Sequence, residues 1–350
     1  MRAVAQDRFG GTDRLHLTDR PDPEPGRGEV LVRVAAAGLD RGTVHVMTGR
    51  PLLARLGLGL RRPRFPVPGR DLCGTVVALG PGVTGVEVGD RVVGTADGSC
   101  AELAVVPVPR LAAAPRTLTD EEAAALPVSG LTALQALRAA GVGPGQRVLV
   151  VGASGGVGTY AVQLAVAAGA RVTGVCSRAK AELVRGLGAA HVVAHEEADV
   201  DAEGVRYDAV LDIGGHRSLR TLRAVLAPRG TLVVVGSEAP GRWLGGLERS
   251  VGAALLSPFV RQRLVMHVSR ERAADLAELV GLVDAGAVRP VLDHVVPLDG
   301  VARALDHVAA GRARGKVVVR VDGRSDRAGS AAAAVSEGGG PGWPSASPRP

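Results

Sequence analysis

Residues 146–178 read QRVLVVGASGGVGTYAVQLAVAAGARVTGVCSR, and this stretch decides the fold. QRVLVVG (146–152) is an apolar run of buried-strand length. The glycine-rich turn GASGGVG (152–158) follows at once. GTYAVQLAVAAG (158–169) then has helical spacing, and RVTGVC (171–176) is β-branched again. Strand, glycine turn, helix and strand form the context of a phosphate-binding loop. Gly155 and Gly156 let the backbone approach a pyrophosphate closely, and Gly158 lets the helix pack tightly on the strand. The helix N-terminus adds free N–H groups and a positive dipole end. Ser154, Gly155, Gly156, Val157 and Gly158 are therefore candidate cofactor contacts. The loop departs from G-x-G-x-x-G, because Ala153 holds the first glycine position. The stretch between Arg147 and Arg171 carries no charge for 23 residues, the length of a bilayer span. Four glycines in seven residues would spoil such a span, so no membrane partner is expected.

Outward from this stretch the same rhythm continues. HVVAH (191–195), YDAVLDIGG (207–215) and GTLVVVGS (230–237) read as strands. KAELVRGLG (180–188), SLRTLRAVLA (218–227) and RERAADLAELVGLVDAG (270–286) read as helices. Such alternation predicts an α/β fold with a doubly wound parallel Rossmann sheet. Residues 1–115 differ, being short β-branched runs broken by Gly and Pro. Thr119 and Glu122 make a capping-box pattern that opens a short helix, Pro127 interrupts it, and helical spacing resumes over 129–141. VRPVLDHVVPL (288–298) and GKVVVRV (315–321) are strands again, with GVARALDHVAAG (300–311) helical between them. Their composition matches the first region, so the Rossmann unit is expected as an insertion. The expected domains are a β-rich unit from 1–117 and 287–322, and a nucleotide-binding unit over 118–286. Residues 323–350 hold few large apolar groups and are expected to be a disordered tail.

The 350 residues are 46% hydrophobic, enough for one large or two medium cores. The net charge of +7 does not point to nucleic acid. Only Lys180 and Lys316 among the 42 basic residues are lysine, the arginines are spread throughout, and aromatic residues are too few to stack bases. Three scattered cysteines exclude a disulfide framework. The N-terminal stretch is charged and has no apolar signal region, so a cytoplasmic location is expected.

The end of the 171–176 strand bears on the nucleotide. An acid about 20 residues beyond the loop would hold a ribose 2′-hydroxyl. Ser177 and Arg178 stand there instead. A hydroxyl and a guanidinium suit a 2′-phosphate, so NADPH is the expected cofactor. Gly236 ends a parallel strand where the cofactor crevice should lie.

GEVLVRVAAAGLD, PGRDLCGTVVALGPGV, VGDRVVG, LPVSGLTALQAL, GASGGVG and RGKVVV occur in that order over about residues 1–321. On these motifs the chain resembles the medium-chain dehydrogenase/reductase superfamily, nearest to its zinc-free quinone oxidoreductase, zeta-crystallin-like branch. The resemblance implies that the β-rich catalytic unit is GroES-like. It also implies nicotinamide-ribose contact at Thr132, adenosine-phosphate contact at His195, and a cofactor role for Lys316 in RGKVVV. A small-molecule substrate and a homodimer are expected.

Zinc members carry a cysteine where this chain has Asp40, and G-H-E where it has Gly69-Arg70-Asp71. Of the four clustered cysteines of their structural zinc, only Cys100 is present. No metal is therefore expected. Without a Lewis acid, hydride delivery to a quinone or an α,β-unsaturated carbonyl is easier than alcohol oxidation. His45, in the loop that by resemblance faces the nicotinamide, is the candidate proton donor, with Asp40 positioning it or the substrate. The alternatives are a zinc-free NADP-dependent alcohol or aldehyde dehydrogenase and a low-turnover NADPH-binding structural or regulatory protein.

Overall fold

The computed structural model describes residues 1–200, 204–236 and 247–321. The 323–350 segment expected to be disordered lies outside the described residues, as does position 322. A hairpin of β1 (Arg2–Ala5) and β2 (His16–Asp19) precedes a seven-stranded sheet. That sheet is built from β3 (Glu29–Leu39), β4 (Asp71–Leu79), β5 (Arg91–Thr95), β6 (Leu103–Pro107) and β7 (Leu111–Ala113).

A second sheet follows in sequence. Its strands are β8 (Arg147–Val151), β9 (Arg171–Cys176), β10 (His191–Ala194), β11 (Tyr207–Asp212), β12 (Leu226–Val234) and β13 (Arg263–Met266). They run all parallel in the order β10-β9-β8-β11-β12-β13. This is the doubly wound order, in which the chain reverses direction across the sheet next to β8. The chain then returns to the first sheet. β14 (Leu292–Pro297) and β15 (Lys316–Arg320) join it in the order β14-β15-β3-β4-β5-β7, with β6 on β3. The parallel sheet is thus inserted into a β-rich one. β13 was not apparent from the sequence. It adds one more strand at the edge.

The uncharged 148–170 stretch resolves into β8, the glycine loop and the 12-residue helix Gly156–Ala167. Among the described residues no helix is long and apolar enough to cross a membrane. The capping box forms as expected, with Thr119 accepting from Glu122 N and Glu122 accepting from Thr119 N, and opens the helix Asp120–Ala124. Pro127 does more than interrupt. It occupies the first turn of the next helix, Pro127–Ala140, where its missing N–H has no intrahelical partner to lose. Gly141 closes that helix in the left-handed conformation at φ 69°.

One apolar cluster binds the two units. It joins Leu131, Leu134 and Leu137 of the 127–140 helix to Ala161 and Leu164 of the 156–167 helix, and reaches Ala36, Cys73, Val93 and Val318 of the first sheet. Tyr160 is buried in the middle of it and donates its hydroxyl to Ala125 O at 3.0 Å. That bond pins the linker between the units to the first helix after the glycine loop. Tyr160→Phe should therefore leave a buried carbonyl unpaired and lower stability by about 1–3 kcal/mol. A urea midpoint equal to that of the native chain would show that the bond contributes nothing.

Candidate active site

The glycine loop starts where β8 ends. Gly152 turns the chain at φ +86°, a conformation other residues rarely adopt. Gly155 caps the 156–167 helix without any side-chain bond, so the first-turn N–H groups are left for a ligand or water. Two glycines of the loop serve different needs. A Cβ on Gly158 would lie 2.1 Å from Gly152 O, so packing of helix on strand requires it. A Cβ on Gly155 would meet only Gly152 O, at 3.7 Å, so the space before Gly155 is kept open. An unfilled glycine cradle at a helix N-terminus fits a pyrophosphate.

The loop opens on a cleft of about 1020 Å³. Ligand pockets are commonly about 300–1,000 Å³, so the cleft has room for a dinucleotide. It crosses the carboxyl ends of β8, β9, β11 and β12, where strand order reverses. Ser154, Gly155, Gly156 and Val157 line it, whereas Gly158 lies beneath the loop. Thr132 and Gly236 line it too. The Thr132 hydroxyl donates to Val128 O at 2.6 Å. A Cβ on Gly236 would lie 1.8 Å from Ile213 O, so this strand end must be glycine.

At the β9 end, Ser177, Lys180 and His195 line the cleft. Arg178 is not part of the lining. Its side chain is 80% exposed and pairs with Glu197 at 2.6 Å, while its N–H donates to Glu196 Oε2 at 3.1 Å. The Lys180 ammonium donates to Gly311 O and Ala313 O at 3.1 and 2.8 Å, which ties the parallel sheet to the other unit. Cys176 also lines the cleft, but burial pushes its thiol above the ordinary range and away from nucleophilic use.

The far wall comes from the β-rich unit. His45 is half-buried on the helix Arg41–Thr48 and lines the cleft. Asp40 caps that helix, its Oδ1 accepting from Thr43 N at 2.9 Å and Thr43 Oγ1 at 3.1 Å. Its Oδ2 lies 3.0 Å from Lys316 Nζ. Both oxygens are engaged, so Asp40 fixes the start of the helix that carries His45.

Lys316 is 1% exposed. Its ammonium also lies 2.6 Å from Asp71 Oδ2 and 3.2 Å from Ser129 Oγ. At 2.6 Å, Lys316 and Asp71 form a buried ion pair. Asp71 Oδ1 accepts from Val128 N at 2.8 Å. Asp40 stands where zinc members of the resembled superfamily carry a cysteine and Asp71 at the last position of their G-H-E motif, and a buried cation of the chain's own lies between the two carboxylates. Gly315 N donates to Ser154 O at 2.9 Å, so the residue before Lys316 is bonded to the glycine loop itself.

The charges do not balance, with two carboxylates facing one ammonium. Burial pushes the Asp71 carboxyl up to about 6 despite Lys316. Burial also opposes ionisation of Asp40, but the Lys316 charge and the Thr43 donors outweigh it and hold Asp40 below the usual range. Burial pulls on Lys316 as well, and its two carboxylates outweigh that and keep it charged.

Several cleft residues escaped the sequence reading. Ser129 was read only as part of a helix, and Asp71, buried behind the lining, was read only in place of the zinc members' G-H-E motif. His216 and Arg217 follow β11 and line the cleft, Arg217 pairing with Asp199 at 2.7 Å. Their place directly after DIGG, at the end of a parallel strand, was the available signal.

Residues 26–116 match the family model of the alcohol dehydrogenase GroES-like domain, and residues 187–319 that of zinc-binding dehydrogenases. The chloroplast envelope quinone oxidoreductase homolog of Arabidopsis thaliana is 32% identical over 337 residues, covering 91% of this chain and 98% of its own. The solved quinone oxidoreductase of Coxiella burnetii superposes with a TM-score of 0.79 at 28% identity, over 92% of this chain and 99% of that one. A solved NAD-dependent alcohol dehydrogenase gives 0.78 at 29%, over 92% and 100%.

Removing the central cation should expose the imbalance. Lys316→Met leaves two buried carboxylates and should cost about 3–5 kcal/mol of stability at pH 7.5. A carboxyl whose folded pKa is raised above its unfolded value binds protons more tightly when folded, so it costs stability above that pKa and less below it. In the native chain Asp71 acts in this sense between its unfolded range and about 6. The loss in Lys316→Met should therefore shrink as pH falls from 7.5 to 5. Equal losses at both pH values, measured by urea unfolding, would remove the buried charges as its cause.

Proposed function

Because the chain belongs to the medium-chain dehydrogenase/reductase superfamily, on its quinone-oxidoreductase-like branch, we propose that it is an NADPH-dependent reductase of quinones or α,β-unsaturated carbonyls. The observation that carries this reading is that one cleft joins an open glycine cradle to a wall bearing His45, with the buried Asp40–Lys316–Asp71 cluster at and behind that wall. Gly155, Gly156 and Val157 would hold the pyrophosphate, and Thr132 and Gly236 would border the nicotinamide half. A bound reduced nicotinamide supplies hydride. His45 then has one task, to give a proton to the acceptor oxygen as negative charge develops there. Lys316 already has two carboxylate partners, so it holds the wall in place and leaves the proton to His45. A conjugated acceptor suits this wall, because its charge spreads to a remote oxygen that a proton donor can meet.

The reading of the cofactor rests on Ser177 and Arg178 at the β9 end. Arg178 must leave Glu197 to reach a 2′-phosphate, and an exposed ion pair is worth only about 0–1 kcal/mol, so the exchange is favourable. Arg178→Ala should weaken NADPH binding by about 1–3 kcal/mol and leave NADH nearly unchanged. Titration calorimetry with both nucleotides decides this. Equal losses, or tighter binding of NADH by the native chain, would instead favour the NAD use named for the similar alcohol dehydrogenase.

The chemistry is tested by NADPH oxidation against quinones, enones and simple aldehydes. Turnover with the first two classes and little with aldehydes is expected. A positioned general acid is worth about 10²–10⁴-fold, so His45→Ala should lower kcat within that range. Its NADPH Kd should stay within about twofold, since His45 meets the acceptor and not the pyrophosphate. An unchanged kcat would make solvent water the proton source, and turnover of aldehydes alone would favour a dehydrogenase of simple carbonyls.

A further inference from the structure

Asp293, His294 and His307 meet outside the cleft, on the β-rich unit. His307 Nε2 lies 2.6 Å from Asp293 Oδ2, and His294 Nδ1 lies 3.1 Å from the same oxygen. The two rings stand edge to face, with centroids 4.9 Å apart and planes at 86°. All three donor atoms lie within 4.8 Å of one another.

The backbone explains how neighbours in sequence share one point. Successive residues of a regular strand point to opposite faces. β14 breaks register against β15 between Leu292 and His294, which makes Asp293 the extra residue of a bulge. Asp293 and His294 can then serve the same partner. His307 comes from the helix Val301–Ala309, so the cluster joins the bulged strand to the helix that follows it.

We propose that Asp293, His294 and His307 form a binding site for a divalent transition metal of the zinc class. Two imidazoles and one carboxylate suit Zn²⁺, Co²⁺ or Ni²⁺ and do not suit Mg²⁺ or Ca²⁺, which prefer oxygen donors. Tetrahedral zinc has bonds of about 2.0–2.1 Å, which sets its ligands about 3.4 Å apart, so small side-chain shifts accommodate it. The three side chains are 15%, 39% and 30% exposed, so an ion can enter and a water can complete the fourth position. Convergence of both ring nitrogens on one carboxylate oxygen is an inefficient use of hydrogen bonds. It does place three metal donors around one point. The Lys180 ammonium, which feels the Asp293 charge, is held by the Gly311 and Ala313 carbonyls. Bound metal would clamp the bulge to the 301–309 helix, whose Val308 lines the cleft. This departs from the expectation of no metal, which was drawn only from the positions of catalytic and structural zinc in the resembled superfamily.

The test uses the full chain, stripped by chelator and then titrated with Zn²⁺ by calorimetry and with Co²⁺ by visible absorption. One equivalent should bind saturably, and Co²⁺ should give the intense visible bands of a tetrahedral site. Altering even an outer-shell partner of a metal ligand costs about 10–100-fold, so His307→Gln should weaken binding by about 100-fold or more and abolish the bands. His294→Ala, at the most exposed ligand, should do the same and guards against a folding defect in His307→Gln. Both variants should keep the metal-free melting temperature and NADPH affinity of the native chain. Absence of one-equivalent binding, or a metal Kd unchanged in both variants, would overturn the site. NADPH turnover enters neither outcome, so the site and the proposed reaction stand or fall separately.

Discussion

The Lys316 ammonium holds the structure's two halves to one geometry. It lies at the start of β15, and its partners come from the turn after β3, the start of β4 and the 127–140 helix. Three strand ends and a helix thus share one buried charge. A buried ammonium is costly unless it is paired, and once paired it is costly to disturb. The arrangement therefore sets a position more than it adds stability. Gly315, bonded to Ser154, transmits that position to the glycine loop. The cradle for a nucleotide and the wall facing it are consequently held by the same few residues.

The same cluster explains how the fold accommodates two carboxylates, Asp40 and Asp71, side by side. Two carboxylates brought together in an apolar setting repel each other and must find a cation or a proton. Lys316 supplies the first, and Asp71, with its carboxyl raised to about 6, is ready to take the second. Asp40 is then free to serve as helix cap. The cap starts the helix that carries His45, so the charge cluster of the core and the candidate proton donor are joined through one short helix.

The second metal-type cluster has a different origin. Asp293, His294 and His307 are gathered by a strand irregularity and not by the charge balance of the core. They lie near the cleft, next to a helix that lines it, but share no side chain with the Lys316 cluster. The chain thus carries one buried cluster of carboxylates around its own cation and one partly exposed cluster of two imidazoles and a carboxylate.

The sequence by itself determined the parallel sheet, the glycine loop and the insertion of one unit into the other. These are local signals, since strand and helix periods, capping residues and glycine turns act over a few neighbouring residues. The positions of Ser177 and Gly236 on the cleft were legible for the same reason, each standing at the end of a parallel strand, whereas Thr132 was named only through the resemblance. The tertiary structure decided what distance in sequence concealed. Asp40, Asp71 and Lys316 are separated by 31 and 245 positions, and no periodicity relates them. Lys316, read from its motif as a cofactor residue, has its ammonium among carboxylates, because only the pairing of β15 with β3 brings those groups together. Arg178 and Lys180 were equally basic in the sequence, and only packing turned Lys180 toward the cleft and Arg178 toward Glu197. Asp293 and His294, adjacent in sequence, would face opposite sides of a regular strand, and a register break between Leu292 and His294 accompanies their contact.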